Sequence, residues 1–101
     1  MGINVVWKSW SGEELARLDD PEMVLSDLGD ALDVSKTKCL RFIDPFGDAI
    51  FNQAQRPVLV EELSWAASRV RDPQLRSFLQ AVRDLAERAR DVHTYIWFEG
   101  D

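Results

Sequence analysis

The chain has 101 residues, a formal net charge of −6 and a single cysteine, Cys39. An apolar share of 46% supports one α+β domain over residues 1–101 and excludes long disorder or a fibrous chain. One cysteine excludes an intrachain disulfide and a cysteine zinc site, which favours a reducing compartment. No signal sequence or membrane span is visible, so we predict a cytoplasmic protein with no membrane partner.

The acidic residues are concentrated in one segment. Residues 11–34 hold eight acids and one base, Arg17, for a local charge of −7, whereas residues 35–56 and 69–90 carry +2 and +3. Such clustering permits an acidic face that attracts a basic partner, although an acidic, solvated helix explains it as well. Because phosphate binding needs a concentrated positive surface, we predict no nucleic-acid partner.

The N-terminal residues predict a strand, because Ile3, Val5 and Trp7 alternate with more polar side chains. Residues 14–18 are ambiguous. They can return as a second strand after a Ser-Gly turn, or form a helix, since Ser11 and the glutamate three residues later match a capping box. We prefer the strand.

Asp20 and Pro21 predict a helix start, with an acidic N-cap and a proline at the first helical position. Apolar residues at three- and four-residue steps extend this helix to about Asp33. A β-hairpin is predicted next, with strands over 38–43 and 49–52 and a turn that contains Pro45.

Two further helices and a strand complete the chain. Arg56-Pro57 begins the second helix and Asp72-Pro73 the third, which has the most regular apolar stripe. Residues 94–98 are strand-favouring without interruption. The order β-β-α-β-β-α-α-β predicts an α+β fold, a mainly antiparallel sheet of four to five strands with three helices packed on one face.

That architecture leaves one sheet face without helices. Tyr95 and Trp97 point to the side opposite Ile96, so both are candidate partner-binding residues on the open face, and Arg41 is placed there with them through the predicted hairpin. Trp65 lies about 150° from the apolar stripe of its helix, so it belongs to a second surface and is a further candidate partner-binding residue, unless it packs against the third helix. The alternative is that the protein's own chain covers these rings.

Two groups of polar residues are candidate binding sites. Asp44, Asp48 and Asn52 have oxygen atoms suited to a hard cation, but their spacing does not match a calcium loop, so we predict a polar site without metal. A stripe on the third helix is the second group and can clamp phosphates or acidic partners: Arg76, Gln80, Arg83, Glu87, Arg90. Its interleaved acid favours a solvated, ion-paired face instead.

The sequence offers no catalytic arrangement. His93 is the only histidine, and no pattern places Cys39 or a serine beside it. The five glycines are isolated, so there is no phosphate-binding loop. The sequence therefore favours a protein without cofactor and without catalysis over an enzyme, although it does not exclude carboxylate-pair chemistry.

One stretch resembles a known group of sequences. Residues 40–48, LRFIDPFGD, followed by Phe51-Asn52 and the closing YIWFEGD, are similar to a group of small uncharacterised bacterial proteins. The resemblance covers residues 39–101 and implies the hairpin and a bacterial source. Since the group has no known activity, no functional residue is carried over from it.

These observations favour a small, non-enzymatic protein-binding or regulatory domain. The open sheet face would form a homodimer or dock a protein partner, and the acidic segment would engage a basic one, as in an immunity protein. The alternative is a small-molecule binder or minor enzyme with a polar site around Arg41 and the turn at Asp44 and Asp48.

Overall fold

The computed structural model describes residues 2–100 and contains one four-stranded antiparallel sheet. The strands are β1 (Asn4–Ser9), β2 (Glu14–Leu18), β3 (Asp48–Phe51) and β4 (Thr94–Glu99), in the spatial order β2-β1-β4-β3. The helices are α1 (Leu28–Ala31), α2 (Arg56–Arg69) and α3 (Pro73–Arg88). The predicted α+β class is confirmed, and residues 14–18 are a strand. Asp101, the last residue of the closing motif, lies outside the described residues.

The last strand of the chain lies inside the sheet. All six residues of β4 pair with β1, and four of them also pair with β3. Ile96 stands between Trp7 and Phe51, and Phe98 between Val5 and Ala49. A run of β-branched and aromatic residues suits this central position, because side chains there pack against neighbours on both sides.

The core lies between one face of the sheet and the helices. Ile96 and Phe98 are fully buried, and the Phe98 ring meets Phe51 edge to face with centroids 5.6 Å apart. The apolar stripes predicted for α2 and α3 supply the other side of this core: Leu59, Leu63, Ala66, Leu75, Leu79, Val82, Leu85, Ala86. Both helices start where the Arg-Pro and Asp-Pro pairs predicted, and the Asp72 carboxylate accepts a hydrogen bond from Gln74 N at 3.0 Å.

The helix predicted from Asp20 to Asp33 is wrong over most of its length. The chain instead makes a 3₁₀ turn over Leu25–Asp27 and a single α-helical turn, α1. The Asp20 carboxylate is 2% exposed and accepts hydrogen bonds from Val24 N at 2.9 Å and Leu25 N at 3.0 Å, but it also accepts one from Ile3 N at 3.4 Å. Because Asp20 is tied to the start of β1, it caps a tight turn rather than a long helix.

The strand predicted over 38–43 is also wrong. Residues Leu40–Phe42 form a 3₁₀ turn, and the Glu62 carboxylate of α2 accepts hydrogen bonds from the backbone N–H groups of Lys38, Cys39 and Leu40 at 2.7–3.1 Å. A backbone donor that is bonded to a side chain cannot join a sheet ladder. The predicted hairpin is therefore absent, and β3 pairs with β4 alone.

The predicted turn before β3 is present, and the residue that follows β4 packs against it. Asp44 Oδ1 accepts a hydrogen bond from Phe46 N at 2.9 Å, and Gly47 O accepts one from Gly100 N at 2.9 Å. A Cβ on Gly100 would lie 2.4 Å from the carbonyl oxygens of Asp44 and Gly47, so only glycine fits there. None of the helices within residues 2–100 has the length and apolar character that a membrane crossing needs.

Replacing Asp20 by alanine should lower the free energy of unfolding by about 2 kcal/mol, because three backbone N–H groups in a buried turn lose their acceptor. Urea unfolding followed by tryptophan fluorescence measures this loss. Asp19→Ala is the matched control, since Asp19 is exposed and its carboxylate pairs with Arg17 alone among residues 2–100. Equal losses for the two variants would contradict the capping role of Asp20.

Candidate functional site

The sheet face opposite the helices carries aromatic and charged side chains. Trp97 lies at its centre, with Val6 of β1 on one side and Ile50 of β3 on the other. Tyr95 lies two residues before Trp97 on the same face of β4 and pairs with Lys8 of β1. These residues are outside the core cluster, and no helix among residues 2–100 covers them. We call this surface the open sheet face.

A lysine covers the central tryptophan of this face. Lys8 Nζ lies 4.3 Å from the centroid of a Trp97 ring and 2.9 Å from Glu99 Oε2. The Lys8 side chain is only 17% exposed, so both contacts act at reduced solvent screening. The Trp97 indole N–H is buried and has no hydrogen-bond partner within residues 2–100. Trp97 is thus half-buried under Lys8 rather than fully open.

Arg17 extends this charged layer towards the edge strand β2. Its guanidinium contacts Glu14 Oε1 and Asp19 Oδ1 at 2.7 Å each, and Glu99 Oε1 at 3.6 Å. Glu99 is therefore shared by Lys8 and Arg17. Val6, which pairs with Arg17 and Trp97 across the strands, is fully buried, so these neighbouring side chains cover it.

The β3 side of the open sheet face is less covered. Ile50 is 47% exposed at the sheet edge, and Phe46 in the preceding turn is 81% exposed. Asp48 shares the face with Ile50 and has no ion-pair or hydrogen-bond partner for its carboxylate in the described residues. This side presents apolar surface next to an unpaired negative charge.

The structure places Arg41 away from the open sheet face, so its predicted position there is wrong. It lies in the 3₁₀ turn after Cys39, and its guanidinium carbon is 4.7 Å from the centroid of the exposed Phe42 ring. The cause is the Glu62 contact described above, which removes residues 38–43 from the sheet.

Trp65 lies on a second surface, as its angle on α2 predicted. It packs against the core and is partly buried. A groove of about 380 Å³ runs beside it, lined also by Lys36, Thr37 and Glu61. The segment before Cys39 therefore covers part of Trp65, and the third helix does not line this groove.

Asp44, Asp48 and Asn52 do not converge on one site. Asp44 caps the turn before β3, and Asp48 lies on the open sheet face. Asn52 Oδ1 accepts a hydrogen bond from Gln55 N at 2.9 Å, so it caps the turn that leads into α2. Within residues 2–100, no three side chains of a metal-binding type are grouped closely enough to hold an ion.

The two residues considered for nucleophilic chemistry have separate environments. Cys39 is buried beside Glu62, whose carboxylate accepts its backbone N–H. His93 is exposed before β4, with a φ of +62°, and its carbonyl accepts a hydrogen bond from Trp10 N. Neither the thiol nor the imidazole has a hydrogen-bond partner in the described residues that could activate it.

Four residues of the open sheet face were missed from the sequence: Lys8, Arg17, Ile50 and Glu99. Strand alternation alone assigns Lys8 to the side of Val6, but only the pairing of β1 with β4 brings that side next to Trp97. No protein-family model, no curated protein and no solved structure matches the chain.

The buried thiol gives a testable pH dependence. Burial, and secondly the nearby Glu62 carboxylate, raises the pKa of Cys39 from 9.0 to about 11. Iodoacetamide should therefore alkylate the folded protein at pH 8 much more slowly than the urea-unfolded chain, because the thiolate is the reactive form.

The raised pKa of Cys39 also makes the stability of the folded protein depend on pH. The favourable contribution of the neutral thiol is complete below about pH 9 and is lost as the pH rises towards 11, so stability falls across this window. Cys39→Ala should show a shallower fall in melting temperature from pH 9 to 11 than the wild type. Parallel curves would show that Cys39 does not titrate with a raised pKa.

Proposed function

We propose that the protein is a small binding domain that docks a basic protein partner on the open sheet face and carries out no chemistry itself. The observation that supports this best is the group formed by Trp97, Tyr95 and Ile50, which no helix of residues 2–100 covers. Ile50 is 47% exposed, while Trp97 and Tyr95 are half-buried. Partly exposed aromatic and apolar groups next to charged residues are typical of protein interfaces. Trp and Tyr are the residues that most often anchor them.

The charge of this surface favours a basic partner over a second copy. The face and its edge carry two cations, Lys8 and Arg17, and four carboxylates: Glu14, Asp19, Asp48 and Glu99. The Asp48 carboxylate has no partner in the described residues. Strand β2 at its edge also belongs to the segment 11–34 with a local charge of −7. Two identical negative surfaces repel each other, whereas a cationic partner is attracted and steered to this face.

The unpaired indole N–H supports an anchoring role for Trp97. A buried donor without an acceptor costs about 1–3 kcal/mol, and within residues 2–100 Trp97 Nε1 shares this state with Trp7 Nε1 on the core side of the sheet. A partner that displaces Lys8 and places a carbonyl near the indole nitrogen removes it. Binding energy would then come from satisfying a group that the isolated chain leaves unsatisfied.

A regulatory or immunity-like role in the bacterial cytoplasm fits such a domain, because an acidic binding surface can mask a basic partner. The bacterial source rests on the resemblance of residues 39–101, and the compartment on the single cysteine. The alternative small-molecule site has less support, since Asp44 and Asn52 are engaged in turn hydrogen bonds.

The charge argument predicts a monomer. Sedimentation equilibrium of the wild type at about 100 µM in low salt should give the monomer mass of 11.6 kDa, because the repulsion between like charges is least screened there. A wild-type mass near twice this value, together with a monomer mass for Ile50→Lys, would contradict the prediction. It would show that the open sheet face forms a homodimer and does not bind a basic partner.

Partner binding is tested with one pair of matched variants. Ile50→Lys places a cation in the apolar part of the open sheet face, and Val92→Lys makes a similar change at a residue that is 76% exposed and precedes β4. Proteins retained by immobilised wild type from a lysate of the source organism are identified, purified and titrated singly. The proposal expects a basic partner whose affinity falls about tenfold or more in Ile50→Lys, is unchanged in Val92→Lys, and weakens with salt.

Equal affinities of the purified partner for both variants would contradict a role for the open sheet face. Binding of an acidic partner there would contradict the charge argument.

A further inference from the structure

Another surface, distinct from the open sheet face and from the groove beside Trp65, forms where α2 and α3 meet. A groove of about 690 Å³ runs between them, with Ala67 contributing to its lining. Ser64 and Ser68 line it from α2, one helical turn apart, and Arg76, Gln80 and Arg83 line it from α3. Most of these side chains are exposed, so the groove is open to solvent along its length.

Arg83 and Arg76 differ in whether a neighbouring carboxylate neutralises their charge. Arg83 donates to Ser64 Oγ at 2.9 Å and to Asp84 Oδ1 at 3.0 Å, so it is held in place but partly neutralised. Arg76 donates to the carbonyl of Val70 at 2.7 Å and contacts no carboxylate in the described residues. The groove therefore contains a positioned guanidinium without a counter-ion, in the region 69–90 that carries +3.

The polar stripe predicted on the third helix divides at this point. Glu87 pairs with Arg90 and approaches Arg56 at 4.0 Å, so that end is the solvated, ion-paired face that the sequence favoured. Arg76, Gln80 and Arg83 instead face the serines of α2 across the groove. Only the packing of α2 against α3 brings those serines and arginines together.

We infer that this groove binds an acidic peptide segment of another protein. Guanidinium groups form paired hydrogen bonds with carboxylates, and the serine hydroxyls and Gln80 amide offer donors and acceptors to a peptide backbone. The open shape favours a polypeptide over a small molecule, since small-molecule sites bury most of their ligand. Two arginines beside one aspartate are too few cations for nucleic acid.

The inference does not depend on the proposed function. The groove lies on the helices, and the open sheet face lies on the opposite side of the sheet. An acidic segment in the groove and a basic partner on the sheet can therefore bind without competing. The chain's own acidic segment, supplied by a second copy, is an alternative occupant that the measurements below separate.

The test uses a fluorescently labelled hexaglutamate peptide and fluorescence anisotropy at low salt. Arg76→Gln is expected to weaken binding about tenfold, because it removes one charge-assisted hydrogen-bonding group. Arg88→Gln is the matched control, since Arg88 is exposed, lies on the same helix and is outside the groove. Both variants lose one positive charge, so a difference between them reports the groove and not the net charge.

Arg76→Gln also removes the hydrogen bond to the Val70 carbonyl, so a second pair of variants tests the groove without changing that contact. Ser68→Glu puts a negative charge into the groove from α2 and should weaken peptide binding about tenfold, whereas Ser77→Glu, on α3 outside the groove lining, should not.

Four results would overturn the inference. The first two are absence of peptide binding and an equal loss of peptide affinity in Arg76→Gln and Arg88→Gln. The other two are displacement of the peptide by inorganic phosphate but not by chloride of the same ionic strength, and self-association of the protein that the peptide dissociates. Displacement by phosphate would indicate a phosphate site, and the last result would indicate a second copy as the occupant.

Discussion

Strand β4 is apolar on both faces and hydrogen-bonded along both edges, and the arrangement of the rest of the molecule follows from this. Ile96 and Phe98 need a hydrophobic cover, which α2 and α3 supply with their longest apolar stripes. Trp97 and Tyr95 point the other way, where no helix remains among the described residues. The chain covers that side with Lys8, Arg17 and Glu99, whose aliphatic stems and ion pairs cover Val6 and part of Trp97.

Two carboxylates hold the irregular parts of the chain on this framework. Asp20 ties the turn before α1 to the start of β1, and Glu62 ties residues 38–40 to α2. Each accepts three backbone N–H groups that would otherwise be left without partners in segments that have no ladder or helix of their own. The placement of α1 and of the loop before β3 thus depends on single side chains, while α2, α3 and the sheet depend on distributed apolar packing.

The net charge of −6 conceals two surfaces of opposite character. The open sheet face, with strand β2 at its edge, lies on one side of the sheet, and the α2–α3 groove lies on the other, with an Arg76 that contacts no carboxylate in the described residues. Opposed charges of this kind orient the molecule as it approaches a charged partner. The proposals for the two surfaces describe one domain able to contact a basic and an acidic protein at once.

The sequence by itself determined the elements whose signals are local. The alternation in β1 and β4, the proline-marked starts of α2 and α3 and their apolar stripes all depend on neighbours within a few residues, and so does the orientation of Tyr95 and Trp97 away from the core. The turn at Asp20 and the loss of the strand at 38–43 depend on Ile3 and Glu62, which lie 17 and 22–24 residues away along the chain. The strand order also depends on segments far apart in sequence, and it sets Lys8 and Ile50 on either side of β4. The same holds for the groove in which Arg83 meets Ser64. Only the tertiary structure decided these features. A carboxylate can accept hydrogen bonds from many backbone N–H groups, and no local sequence pattern shows which of them will lie next to it in the folded chain.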